Sequence, residues 1–189
     1  MEHTQRASPL LITLRNGLAV TLRPMSAFDA NRLVSFANSL PASDLLHLRM
    51  DITQPEVVRQ WVRQLEENTT ATIIAEADGQ IAGYAILHHH QVTWQRHLGE
   101  IRILIGPTYR GQGLGRQLAR EIFVLARDMG LSRIVAQMMP EQKGAIATFE
   151  HLGFQPEALL SDFVIDRDGQ THDLMIMAYD VTGLTEPTV

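Results

Sequence analysis

Six residues, Arg110-Gly111-Gln112-Gly113-Leu114-Gly115, have the types and spacing to hold a phosphate. The run before them, Ile101-Arg102-Ile103-Leu104-Ile105, reads as a strand that Gly106-Pro107 ends. After them Leu114, Leu118, Ile122, Leu125, Ala126 and Met129 recur at helical spacing. A strand, a glycine-rich turn and a helix, in that order, aim backbone N–H groups at an anion. The first N–H groups of a helix have no partner within it, and the helix dipole adds partial positive charge there. Glycines let the backbone approach an anion without a Cβ in the way. Arg110, Arg116 and Arg120 add cationic groups. A Walker loop needs Gly-Lys followed by Ser or Thr, and a dinucleotide fingerprint needs Gly-x-Gly-x-x-Gly. Glycines 111, 113 and 115 alternate instead, so neither pattern fits.

The pattern Arg-x-x-Gly-x-Gly resembles motif A of the GCN5-related N-acetyltransferases (GNAT superfamily), which binds the pyrophosphate of acetyl-CoA. Downstream, Ala145, Phe149 and Leu152-Gly153-Phe154 are similar to that family's next motif. The resemblance covers roughly residues 19–180 of one domain spanning 1–189. It implies an α/β (α+β) fold, with a mixed, strongly twisted central sheet of about seven strands flanked by about four helices. It also implies acetyl transfer from acetyl-CoA to a primary amine by direct attack. The acceptor stays open between a small molecule and a protein lysine or N-terminus. Coenzyme A contacts would fall on Arg110, Gly111, Gln112, Gly113, Leu114, Gly115 and Arg116. Backbone N–H groups around Ile103, Leu104 and Ile105 would hold the oxyanion. Dimers are common in such families, so a second copy of the chain is a candidate partner.

An ammonium must lose a proton before it can attack. Glu100 is the candidate base, on the strand that leads into the phosphate turn. Some protein-lysine acetyltransferases place a glutamate ten residues before the first residue of the turn, the spacing of Glu100 to Arg110. Partial burial would raise its pKa toward neutrality. The other reading of Glu100 is a strand carboxylate paired with Arg102 or facing solvent. Many relatives release the thiolate with a tyrosine in the helix after the fifth strand. The aligned residue here is Phe149, which has no proton to give, and a nearby asparagine is replaced by Gln142. Tyr84 and Tyr109 are the replacements to consider. Phe149 also keeps a second function open, a non-catalytic acyl-CoA sensor of the same fold. His88-His89-His90, with His97 beyond, is a histidine cluster, and alternate strand positions would put His88 and His90 on one face. With no acidic partner close in sequence, no metal site is assigned. Asp44 and Asp51 could hold a cationic acceptor.

The composition agrees with a globular enzyme. In 189 residues, 45% hydrophobic, there is enough apolar material for a sizeable core. The net charge is −5 with no basic block, which argues against non-specific nucleic-acid binding and favours cationic substrates. There are no cysteines, so no disulfide, thiol nucleophile or thiolate metal site. No apolar run approaches a membrane span and no signal peptide is evident, which predicts a cytoplasmic chain without membrane contact.

The elements that must position these residues follow from patterning. Leu18 to Met25 reads as a first strand, after a loose first dozen residues. Ser26 with Asp29, and Thr53 with Glu56, each resemble a helix start. A loop over about residues 39–52 separates the two helices. Strands at 71–77 and 80–89 meet at Asp78-Gly79, a two-residue hairpin signal. After the phosphate turn and its helix come a strand at 132–138 and a helix at 142–151 stopped by Gly153. Two last strands, at about 158–166 and 171–180, meet at Asp168-Gly169. The tail beyond about Thr182 reads as loose. The acceptor pocket would be built by the 39–52 loop and the last hairpin.

Overall fold

A computed structural model describes residues 9–46, 48–90, 92–166 and 168–181. Of the loose ends expected over the first dozen residues and beyond about Thr182, residues 1–8 and 182–189 lie outside it. In chain order the elements are β1 (Leu10–Thr13), β2 (Ala19–Pro24), α1 (Ala30–Asn38), α2 (Ala42–Leu46), α3 (Pro55–Glu66), β3 (Thr70–Ala77), β4 (Gln80–His89) and β5 (Leu98–Ile105). Then follow α4 (Leu114–Asp128), β6 (Arg133–Met138), α5 (Lys143–His151), β7 (Gln155–Ile165) and β8 (Thr171–Asp180). One eight-stranded sheet runs β1-β2-β3-β4-β5-β6-β8-β7. Among the described residues only the β5–β6 pair is parallel.

Two cores form because the central strands are buried on both faces. Alternate residues of β3 and β4 point opposite ways. Ile73, Ala75, Ala85 and Leu87 meet Leu114, Leu118, Ile122 and Leu125 of α4 on one face. Ile74, Tyr84 and Ile86 meet Leu33 and Phe36 of α1 and Val58 and Trp61 of α3 on the other. Trp61 is 1% exposed, and its indole N–H donates to Thr72 Oγ1 at 3.0 Å, so its one polar group is satisfied.

Several starts and stops follow the expected chemistry. Asp78 and Gly79 both take positive φ, 49° and 74°, as the β3–β4 hairpin requires. Gly153, at φ 95°, ends α5, and its N–H reaches Glu150 O while that of Phe154 reaches Phe149 O. Ser26 N–H donates to Asp29 Oδ2 at 2.9 Å, opening a short 3-10 turn ahead of α1.

Three expectations are corrected. Residues 10–13 form β1, which pairs in register with β2, so the sheet has eight strands. The 39–52 segment contains α2. Thr53 does not cap α3: Pro55 occupies the first turn and Gln54 is the cap residue. Proline fixes the φ of a first helical turn and lacks the N–H that a cap would satisfy. The Thr53 hydroxyl and N–H both donate to Asp51 instead.

Candidate active site

The parallel pair is short. Leu98, Gly99 and Glu100 pair with Arg133, Ile134 and Val135, and there the register stops. β5 runs on to Ile105 against β4, and β6 runs on to Met138 against β8, so the two strands part. Gly106 N–H donates to Ala82 O at 2.9 Å, and Gly83 faces Ile105. In antiparallel alternation Arg102 and Leu104 therefore hydrogen-bond across to β4, while the N–H and C=O groups of Ile103 and Ile105 turn toward the gap. This corrects the grouping of 103–105 as one set of donors: the Leu104 backbone is spent on β4. The Ile105 carbonyl accepts Arg110 Nε at 3.0 Å, consistent with that direction.

A cleft of about 1180 Å³ fills the gap. Glu100, Ile103, Leu104, Ile105, Arg110, Gly111, Gly113, Leu114, Gly115 and Arg116 all line it, so the sequence-predicted residues come together. Gln112 lies outside its wall, and its carbonyl accepts Arg15 N–H at 3.2 Å. Gly111 and Gly113 take positive φ, 72° and 90°, which turns the chain into the first turn of α4. Gly115 has a different reason to be glycine. A Cβ there would sit 3.0 Å from Ile105 Cδ1, so it lets α4 lie close on β5. The N–H groups of Leu114, Gly115 and Arg116 are the unpartnered first donors of α4.

Sequence reasoning missed Arg15, which the β1–β2 turn brings to this cleft beside Gly113. Only the unforeseen β1 makes that turn. The cleft as a whole is cationic, against the expectation drawn from net charge. Arg15, Arg49, Arg102, Arg110, Arg116 and Lys143 face Asp44, Glu100 and Glu141. Asp44 is ion-paired with Arg110, and Asp51 is held by Thr53, so both acids offered for a cationic acceptor have partners within the fold.

Glu100 sits where β5 and β6 part. Arg49, from the loop after α2, donates Nη1 to both its oxygens at 2.8 and 3.0 Å. Arg102 donates Nη2 and Nε to Oε1 at 2.8 and 3.1 Å. Burial pushes the Glu100 pKa up, but the two guanidinium groups outweigh it and hold the carboxyl below the usual carboxylate range. The upward shift expected from burial is thus reversed. Directly across on β4, His88 is half-buried. Burial first, and then Arg102, lower its pKa to about 4. His90 and His97 are exposed. Among the described residues no three His, Asp or Glu side chains gather to hold a metal.

Phe149 lines the cleft, 7% exposed and edge-on to Phe154 at 4.9 Å. Tyr84 packs edge-on against Trp61 with ring centroids 4.9 Å apart, and burial pushes its phenol pKa up. Tyr109 is half-buried in the cleft wall beside the phosphate turn. Gln142 is used structurally, its Oε1 accepting Met139 N–H at 2.9 Å.

A sheet opened between two parallel strands, with a helix N-terminus at its mouth, is the architecture of an acyl-CoA-dependent transferase. The amide-bearing arm of coenzyme A needs strand-like partners, and β5 leaves an open edge at this gap. Its pyrophosphate needs donors and cations, and the α4 N-terminus, Arg15, Arg110 and Arg116 stand at this cleft. The chain belongs to the acetyltransferase (GNAT) family, which matches it over residues 36–154. Bacillus subtilis (strain 168) YwnH, provisionally named a phosphinothricin acetyltransferase, is 23% identical over 165 residues, 86% of this chain and 100% of its own. The GNAT domain of S. lividans PAT superposes with a TM-score of 0.76 at 19% identity, over 91% of this chain and 96% of that one. Salmonella typhimurium yncA, solved with its cofactor acetyl-CoA, gives 0.74 at 21% identity, over 86% and 94%. The chain is an acetyl-CoA-dependent N-acetyltransferase. Among the described residues no helix is long and apolar enough to cross a membrane.

Proposed function

We propose that Glu100 takes the proton of the acceptor ammonium, and that the acceptor enters between the α2 loop and β7. The observation that carries this reading is the place of Glu100, at the last paired position before the strands part. It lies on the strand whose next outward N–H groups, those of Ile103 and Ile105, face the same gap. Acetyl-CoA supplies an activated thioester carbon. The freed amine forms a C–N bond to that carbon, the C–S bond breaks, and the ammonium proton passes through Glu100 to solvent. Ile103 and Ile105 N–H groups stabilise the oxyanion. The thiolate leaves without help from residue 149 and takes its proton from water, since thiols titrate at about 8.5.

Glu100→Gln keeps the shape and removes the base. Turnover should fall by about 10²–10⁴, with acetyl-CoA affinity by calorimetry nearly unchanged. The defect should shrink at high pH, where more acceptor is already neutral. Near wild-type turnover at neutral pH would leave Glu100 as an anchor for two arginines and route the proton through solvent.

A further inference from the structure

The acceptor end of the cleft has an unusual charge arrangement. Two arginines share one carboxylate, and among the described residues Glu100 is the sole carboxylate bonded to either of them. The side chain of Arg49 is 58% exposed and stands on a loop. Its Nη1 is spent on Glu100, which leaves its other N–H groups for a second anion. Arg102 engages Glu100 through Nε and Nη2, and its Nη1 remains. The cluster is therefore net cationic and open to solvent, with unused donors in the forked geometry that suits a carboxylate.

We propose that Arg49 and Arg102 are the receptor for an anionic group on the acceptor, so that the amines acetylated here are small zwitterions of the amino-acid kind. The inference rests on the acetyl-transfer reading above and specifies its substrate class. An amino acid carries a carboxylate and an ammonium a few bonds apart. Glu100 between two arginines is the charge mirror of that pair: the ammonium meets Glu100 and the carboxylate meets Arg49. A polyamine, or a lysine in a basic peptide, brings only positive charge to a net positive cluster. Recruiting Arg49 to the substrate also draws one cation away from Glu100, which makes its carboxylate a stronger base at the moment the ammonium arrives. Leu46, Leu48 and Met50 on one side and Phe163 and Ile165 on the other give the cleft apolar walls. An apolar side chain is the natural third group of the acceptor.

The test compares L-leucine, L-leucinamide and 3-methylbutylamine, which differ only at the carboxylate, with spermidine and a lysine peptide beside them. Thiol release from acetyl-CoA is followed for each. Leucine should exceed its amide in kcat/KM by at least about tenfold, although the amide's less basic amine is more often neutral. Arg49→Met should raise KM for leucine by a similar factor, leave KM for acetyl-CoA unchanged, and erase the preference over the amide. Arg49→Lys should restore part of it. Equal or better turnover of the amide, the amine or the peptide would overturn the anion receptor and leave acetyl transfer standing. If no amine releases thiol, leucine is titrated calorimetrically into the CoA-saturated protein. Heat that disappears in Arg49→Met would keep the receptor and overturn the transfer reading; no heat would overturn the receptor.

Discussion

Two arginine-carboxylate clusters stand on this sheet, and they are built to opposite ends. In the first, Arg23 grips Asp29 through Nη1 and Nη2 at 2.8 and 2.6 Å, and both Arg23 and Arg32 reach Glu76. Arg32 also bonds Asp29 and the Gly79 carbonyl. Two cations meet two anions, and Asp29 is 2% exposed. In the second, two cations meet Glu100 alone, at the edge of a cleft. The first ties the 3-10 turn ahead of α1 to β2 and β3, and its charges cancel inside the fold. The second leaves a charge over. A surplus cation beside the reacting groups adds little to stability, and its use is to bind something that the fold itself does not provide.

The largest expected effect separates the clusters by stability. Asp29→Ala removes the more buried of the two anions that both arginines share and leaves Arg23 with Glu76 alone. Breaking such a pair costs about 3–5 kcal/mol, read as a lower urea midpoint. Glu100→Gln should cost no more than about 1 kcal/mol, because Arg49 can turn to water. Equal losses from the two variants would mean that the Glu100 cluster is as structural as the other, and would remove the ground for a substrate role.

Acid titration should resolve the same contrast into two windows. His88, across from Glu100, has its folded pKa lowered from 6.5 to about 4. Between those values the unfolded chain binds a proton that the folded one refuses. Stability therefore falls as pH drops from about 6.5 to 4, by up to about 3 kcal/mol. Asp29 is lowered from 3.8 to about 2; burial opposes the shift, but hydrogen bonds from Arg23 and Ser26 overcome it. Its contribution is complete above about pH 4 and is lost as pH falls toward 2, about 2 kcal/mol in all. Glu100, also lowered, adds to the lower window. Denaturant midpoints measured across pH should show both slopes. His88→Gln should flatten the upper one and spare the lower. A single slope, untouched by that change, would detach His88 from the account.

How far these residues were legible in the sequence depends on how local their partners are. Gly111 and Gly113 announce the phosphate turn because a strand period stops and a helix period starts around them. Asp78-Gly79 and Gly153 are punctuation of the same local kind. Glu100 could be placed, but its electrostatics could not: Arg49 lies 51 positions away in sequence and meets it only once the sheet has formed. Arg15 was missed although its signal was local: Asn16-Gly17 is a hairpin dipeptide, Gly17 takes a φ of 85°, and this turn joins the four residues of β1 to β2. Burial alone predicts a raised carboxylate pKa, and two long-range guanidinium groups reverse the sign. The Leu104 backbone was misplaced because donor direction follows strand alternation, which the residue types do not display.

The smallest expected effect tests whether burial, and not ion pairing as such, sets the first cluster apart. Glu56 and Arg59 pair along α3, one turn apart, through two hydrogen bonds. Their side chains are 81% and 56% exposed. The contact is as direct as that between Arg23 and Asp29, yet water screens it and both side chains lose rotamer freedom in making it. Glu56→Ala should therefore leave the urea midpoint within error of wild type, the more so in high salt. A loss near that of Asp29→Ala would show that proximity alone sets the strength of these pairs. The closed cluster would then differ from the open one only in count, and the surplus charge at Glu100 would have to be defended on the acceptor kinetics alone.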